Sequence, residues 1–339
     1  MKILWITHRR LDSDFSSQSR HGIAKALTDF GWDVEWLAAS GGHYSAHRSK
    51  ILGLGHHSFT KSIKRSLQEI QLKQYDVALV EWTAVIGSVE ALKNADIPWV
   101  LVDRSPPVST GLVQWIQNLQ YKEAWNIARI FAAGCAVKSQ FLAESQLWER
   151  PIAIVPAGVN LDDFSPTIMT ENPTIVSHGV LAKERCLEKL WRIDNDIRFI
   201  GAGSAAKSLK RKGVKVEGPY NSIKLKEKLA ECEIGVLHLP NREVWKHASP
   251  LKVAEFAASG FVIVSSDVSG LNKFRDEEWI RIIPLGDDDA CKKALNEFKL
   301  MPVEERQRLG ALARAAAEKS MTWKHCCNDL HDLLIEVKC

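Results

Sequence analysis

Short apolar runs of strand length alternate with amphipathic helical stretches along the chain. That is the pattern of parallel β-α-β units whose strands are buried on both faces. Residues 2–7 read as a first strand and 22–30 as a helix ended by Gly31, with 33–38 as the next strand. Further strands are expected at 77–81, 99–103, 130–136 and 153–155, separated by helices around 61–73, 84–93, 113–128 and 139–146. The series then restarts, with strands expected near 174–177, 197–200, 215–217, 234–237, 261–265 and 281–283. The fold class is therefore α/β, with two doubly wound domains joined by a Pro-, Gly- and Asp-rich connection from Pro156 to Pro166. Ligands of such sheets sit beyond the carboxyl ends of the strands, so a cleft between two facing sheets is the expected site.

Composition narrows the classes. At 339 residues the chain is too long for one small domain, and 45% hydrophobic with 25% charged residues excludes a disordered or fibrous protein. Forty-five Lys and Arg against 41 Asp and Glu give a net charge of +4, too slight an excess to argue for nucleic acid, and no such partner is expected. Seven scattered cysteines without a C-x-x-C pair read as free thiols of a cytoplasmic protein, with no metal site expected. The opening apolar run is broken by His8-Arg9-Arg10 before a signal peptide would be complete, and no run approaches the roughly 20 residues that cross a bilayer.

One local basic signal stands out. Between His43 and Lys73, Arg48, Lys50, Lys61, Lys64, Arg65 and Lys73 face Glu69 alone, with His43, His47, His56 and His57 interleaved. Ile63, Leu67 and Ile70 recur at helical spacing. Two readings stay open: a basic amphipathic helix making peripheral contact with anionic membrane, or a solvated helix packed on its own domain.

At the connection and in the loops after it, the chain resembles the GT-B glycosyltransferases, specifically the large retaining family 4 group that uses nucleotide sugars. The resemblance covers nearly the whole chain. Val155 to Phe164 is similar to the family's "PNGVD…F" linker, Ile200-Gly201-Ala202-Gly203 to its "hGxG", and Val216-Glu217-Gly218 to its "hxG". The strongest segment, Ser249-Pro250-Leu251-Lys252-Val253-Ala254-Glu255-Phe256-Ala257-Ala258-Ser259-Gly260 running on to Asp267, is similar to "PLKxxEYxAxGxPVVxxD". Met321-Thr322-Trp323 resembles "(F/Y)(S/T)W", where the family's C-terminal helix returns to the first domain. The resemblance implies two Rossmann-like domains facing across a cleft. The first, 1–163 with 322–339, would bind the acceptor, and the second, 164–321, the UDP- or GDP-sugar. A glycan, a lipid-linked intermediate or a small molecule is the implied acceptor, the nucleotide sugar is a substrate, and no cofactor is required.

Sugar transfer from a nucleotide diphosphate needs a group to hold the departing phosphate. Pro250 at the first turn of a helix, followed by unpaired N–H groups from Leu251 onward, suits an anion site, and Lys252 and Arg185 add full charges. The family's "GR…K" loop maps onto Gly179, Val180 and Arg185, so Val180 stands where an arginine is usual. In the family the glutamate matching Glu255 hydrogen-bonds the ribose hydroxyls. Its usual partner eight positions earlier is His247 here, which leaves the loop from Trp245 to Ser249 to contact the donor in other ways. Gly218-Pro219-Tyr220 is the candidate base-recognition loop, although a turn tyrosine packed on its neighbours reads as well. In the first domain, His8 follows the first strand, and Ser16 and Ser17 replace the family's glycine pair as a phosphate or acceptor loop, or serve only as a helix cap. Asp103 and Arg104 end a strand where many members carry a histidine and are candidates for catalysis, or for pairing with each other.

Two rival readings remain. Gly201-Ala202-Gly203-Ser204-Ala205-Ala206 fits G-x-G-x-x-A with Glu217 ending the next strand, as in nicotinamide-dependent oxidoreductases. A non-catalytic nucleotide-sugar-binding protein would also be consistent with Val180 and His247.

Overall fold

The structure, a computed structural model, describes residues 1–14, 17–49, 55–104, 106–107, 111–220 and 222–338. The chain divides into two units, Met1–Pro156 with Cys326–Cys339, and Ala157–His325. The expected boundaries at 163/164 and 321/322 thus move to 156/157 and 325/326. Backbone hydrogen bonds explain the shift: Val159 N donates to Met321 O at 2.8 Å and Trp323 N to Val159 O at 3.1 Å, binding the connection to the second unit.

The first unit is built on β1 (Lys2–Ile6), β2 (Asp33–Ala38), β3 (Tyr44–Ser45), β4 (Val77–Glu81), β5 (Trp99–Asp103), β6 (Gly134–Val137) and β7 (Ile152–Ile154). All pairings are parallel, in the order β3-β2-β1-β4-β5-β6-β7. The apolar runs read as strands are buried throughout β4, β5 and β6, as expected for a sheet covered on both faces. β6 begins four residues later than expected, because Ile130 and Phe131 continue the preceding helix, Gly111–Phe131. Trp5 and Trp36, opposite each other on β1 and β2, stack at 4.5 Å between ring centroids. The last helix, Asn328–Lys338, packs on β4, β6 and β7, with Leu333 lying so close over Gly134 that a Cβ there would meet Leu333 Cδ1 at 2.8 Å.

The basic stretch is resolved by packing. In the helix Gly55–Glu69, Ile63 and Leu67 are buried in the first unit's core, along with Phe59 and the following Ile70. The apolar stripe considered for lipid contact therefore faces protein, and Lys61, Lys64 and Arg65 are exposed. Lys50 lies outside the described residues. Among the described residues, no helix is long and apolar enough to cross a membrane.

The second unit repeats the plan with β8 (Ile175–Val180), β9 (Arg198–Ala202), β10 (Val216–Glu217), β11 (Ile234–Leu237), β12 (Val262–Ser266) and β13 (Ile280–Ile283). Its parallel sheet has the order β10-β9-β8-β11-β12-β13. Phe199, Phe256, Phe261, Trp279 and Phe298 fill its core, each ring contributing about 1.5–3 kcal/mol by burial. In both sheets the order reverses beside the first strand of the unit, at β1/β4 and β8/β11, and loops leaving the carboxyl ends diverge there to leave room for a ligand.

Candidate functional site

At the reversal in the second unit, β8 ends in Ser177-His178-Gly179-Val180, with His178 buried and Val180 exposed. Gly179 has φ +105°, and a Cβ on it would lie 2.8 Å from Lys252 Cε. The absence of a side chain at Gly179 is what lets Lys252 lie across the strand end. Gly201, at φ +147°, is required more strictly: a Cβ there would stand 1.9 Å from Gly179 O. The dinucleotide-like G-x-G-x-x-A run is thus explained by close approach of β9 to β8. Glu217, the acid of that reading, is held by Arg198 through Nε and Nη2 at 2.9 and 3.1 Å, so the oxidoreductase reading loses its ribose-binding group.

The helix Leu251–Ala258 approaches the same strand end. Pro250 is its N-cap, at φ −82° and ψ 113°, one residue outside the helix where the sequence had placed it in the first turn. The first bond of the helix runs from Val253 N to Pro250 O at 3.1 Å, so the N–H groups of Leu251 and Lys252 precede the intrahelical ladder. Ser249 Oγ accepts from Ala157 N at 2.8 Å, fixing the approach to the cap.

Charge accumulates at this helix start. Burial and the neighbouring Arg185 guanidinium hold the Lys252 ammonium well below its usual range, with Glu255 opposing them. Arg185 is itself lowered by burial and lies over the Trp245 ring at 5.5 Å. Glu255 is buried, and its Oε2 stands 3.2 Å from His178 Nε2. The pair is close without the alignment of a hydrogen bond, so the buried imidazole nitrogen is left with capacity to spare, as is the buried Trp245 Nε1. Two cations thus meet one carboxylate at a helix N-terminus, and the balance favours an anion carrying hydroxyl groups nearby.

The other expected donor contacts lie on flanking loops. His247 is 3.5 Å from Glu243, which also pairs with Lys246 at 2.7 Å in the exposed turn. Tyr220, after Gly218 at φ +82°, directs its hydroxyl to Glu217 at 3.3 Å and packs against the second core. His178 was not found from the sequence. It sits inside an apolar strand run, and its partner Glu255 is distant in the chain.

The first-unit candidates are placed differently. Asp103 is fully buried at the end of β5 and accepts from Tyr121 Oη and from Trp125 Nε1, the latter at 3.2 Å. Its carboxylate is spent on the helix Gly111–Phe131, which corrects its reading as a group facing ligand. Arg104 donates to the carbonyls of Val155 and Pro156. Ser17 caps the helix Gln18–Asp29 by position, but its hydroxyl donates to Leu11 O at 3.2 Å; Ser16 lies outside the described residues. His8 Nδ1 meets Thr83 Oγ1 at 2.7 Å and lies 3.5 Å from Glu81 Oε2, and Arg20 Nε donates to Glu81 Oε1 at 2.7 Å. Among the described residues no group of three or more His, Cys, Asp or Glu is arranged to hold a metal ion.

Comparison with solved structures decides the architecture. Sucrose-phosphate synthase from Thermosynechococcus elongatus superposes with a TM-score of 0.75 at 14% identity, covering 99% of this chain and 98% of that one. Anabaena HepE in complex with UDP-glucose gives a TM-score of 0.74 at 13% identity, covering 99% and 100%. The chain has the GT-B fold. An alpha-glucosyltransferase in complex with UDP and a 13-mer DNA containing a HMU base shares it, with a TM-score of 0.66 at 10% identity over 99% of each chain. Residues 182–332 match the family model described as "Glycosyl transferase-like", a span that contains Arg185, Lys252 and Glu255 of this GT-B chain. No curated protein matches the sequence.

Proposed function

We propose that the chain is a retaining glycosyltransferase that moves a hexose from a UDP- or GDP-sugar to a glycan, lipid-linked or small-molecule acceptor. The second unit takes the donor and the first the acceptor. One observation carries the reading: Arg185 and Lys252 stand with a single carboxylate, Glu255, at the N-terminus of Leu251–Ala258, in a segment that is glycosyl transferase-like in sequence. UDP is the favoured nucleotide because HepE and the alpha-glucosyltransferase are described in complex with it.

On this reading the N–H groups of Leu251 and Lys252, with the two side-chain cations, bind the diphosphate and take up the charge that grows on it as the glycosidic bond breaks. Glu255 accepts from both ribose hydroxyls, with His178 beside the carboxylate. The diphosphate returns a proton-favouring charge to Lys252, which burial otherwise discourages. His247 and Ser249 border the donor sugar, and Gly218 and Tyr220 the base. The sugar nucleotide is the substrate, and no cofactor enters the reaction. Assembly of a cell-envelope or other polysaccharide in the cytoplasm is the setting that suits this chemistry. Contact with an anionic membrane, where made through the Gly55–Glu69 helix, rests on exposed Lys61, Lys64 and Arg65.

The test is thermal stabilisation by UDP, GDP, ADP and NAD in parallel on the native chain and on Glu255→Ala. Selective stabilisation by UDP or GDP that is lost in Glu255→Ala is expected, while a response to NAD alone, or to none, overturns the reading. The anomer released by slow donor hydrolysis, followed by NMR, then tests retention.

A further inference from the structure

The first unit contains a buried charge that its own structure does not balance. Arg9 follows β1 at the carboxyl edge of the sheet, partly buried, and its Nε is buried without a hydrogen-bond partner. Among the described residues its guanidinium makes no ion pair. The neighbouring guanidiniums already have partners. Arg20 is bound to Glu81 at 2.7 Å, and Arg48 Nη1 to Asp14 Oδ2 at 2.9 Å and to His8 O at 3.1 Å. Arg10 spends its Nη2 on Arg48 O at 2.9 Å. Arg9, Arg20 and Arg48 therefore share two carboxylates, while Arg10 and the nearby Arg104 turn N–H groups to backbone carbonyls; of these five guanidiniums, Arg9 is the one with a buried nitrogen left unpartnered.

The cost of that arrangement is visible in the titration of Arg9, pushed down to about 10 by burial and by Arg20, with Glu81 and Asp14 offsetting it only in part. A cation held in this way is unfavourable in the free protein and becomes favourable when an oxyanion completes it. A guanidinium fork presents two parallel N–H donors, which match the oxygens of a phosphate group. The edge is also where sheets of this kind take ligands, beside the β1/β4 reversal.

We propose that the carboxyl edge of the first sheet binds a phosphate group carried by the acceptor, with Arg9 as its main contact and Arg48 beside it. This names the acceptor as an anionic, phosphate-bearing molecule, and rests on the glycosyl-transfer reading only in calling that molecule the acceptor. Arg20, Glu81, His8 and Thr83 act as positioning residues that hold the edge rigid.

The test uses the full chain and inorganic phosphate, at ionic strength matched with chloride. Phosphate is expected to raise the unfolding temperature of the native chain, with the gain kept when UDP is saturating. In Arg9→Gln the apparent phosphate affinity is expected to fall about tenfold or more, as for loss of a charged hydrogen bond, while Arg9→Lys keeps part of it. Without phosphate, Arg9→Gln is expected to be at least as stable as the native chain, because an unbalanced buried charge has been removed; a purely structural arginine would give a loss. Lys252→Gln is expected to weaken the UDP response and leave intact the part of the phosphate response that persists when UDP fills the donor site of the native chain, so failure of the donor reading and failure of this one are separable. An unchanged phosphate response in Arg9→Gln overturns the site. A response abolished by saturating UDP overturns its assignment to the acceptor.

Discussion

At the carboxyl end of β8 the backbone does the shaping, whereas at the ends of β4 and β5 the side chains do. Gly179 and Gly201 remove two Cβ atoms so that Lys252 and the neighbouring strand can approach, and the polar groups left there, His178 Nε2 and Trp245 Nε1, have capacity to spare. β4 and β5 instead finish in Glu81 and Asp103, buried and occupied by Arg20 and His8 in one case and by Tyr121 and Trp125 in the other. Two sheets that share one order over six strands thus reach opposite arrangements: polar groups left with capacity to spare, and a frame whose carboxylates are consumed by the protein.

The comparison breaks most visibly at Gly201. Gly201→Ala places a Cβ against Gly179 O and should cost about 3 kcal/mol or more of stability, read as an early unfolding transition in urea. On the opposite side, Asp103→Asn should cost about 2 kcal/mol, because an amide cannot accept equally from the Tyr121 hydroxyl and the Trp125 N–H, yet it should leave stabilisation by UDP unchanged. At the open site, Lys252→Gln should weaken UDP about tenfold at neutral pH with little loss of stability. The native affinity should also fall as pH rises, at a lower pH than an ordinary lysine would require, since burial and Arg185 lower Lys252 and the protonated amine binds diphosphate best. Calorimetric titration at three pH values would show a flat profile in Lys252→Gln and a declining one in the native chain.

The smallest effect sharpens the contrast by pH. Burial raises Glu81, but the Arg20 charge and hydrogen bonds from His8 and Arg20 outweigh it and hold the carboxyl well below its usual range. Its contribution to stability is present above the unfolded carboxyl value of about 4.3 and is lost as pH falls below it, by up to about 1.4 kcal/mol per pH unit. Denaturation between pH 6 and 3 should show that slope in the native chain and a shallower one in Glu81→Gln.

Most strands were legible because a strand buried on both faces leaves an uninterrupted apolar run, as in 77–81 and 99–103. The helix start at Leu251 was legible through Pro250, to within one residue. What the sequence could not carry was which distant side chain answers a polar one. Asp103 reads as a strand-end carboxylate facing ligand until Tyr121 and Trp125, a helix away, are seen to reach it. His178 reads as strand filling until Glu255 arrives from another element. The stripe of Ile63, Leu67 and Ile70 gives its periodicity plainly, but periodicity does not say whether protein or lipid covers it.

The return of Asn328–Lys338 to β6 and β7 bears on the order of events during synthesis. The first unit includes Met1, yet the surface around Gly134 stays uncovered until Leu333 has been made and has left the ribosome. The second unit, by contrast, is contiguous from Ala157 to His325. The nascent chain therefore carries an unfinished first unit throughout the synthesis of the second, and the two are completed within a few residues of each other at the end of the described chain.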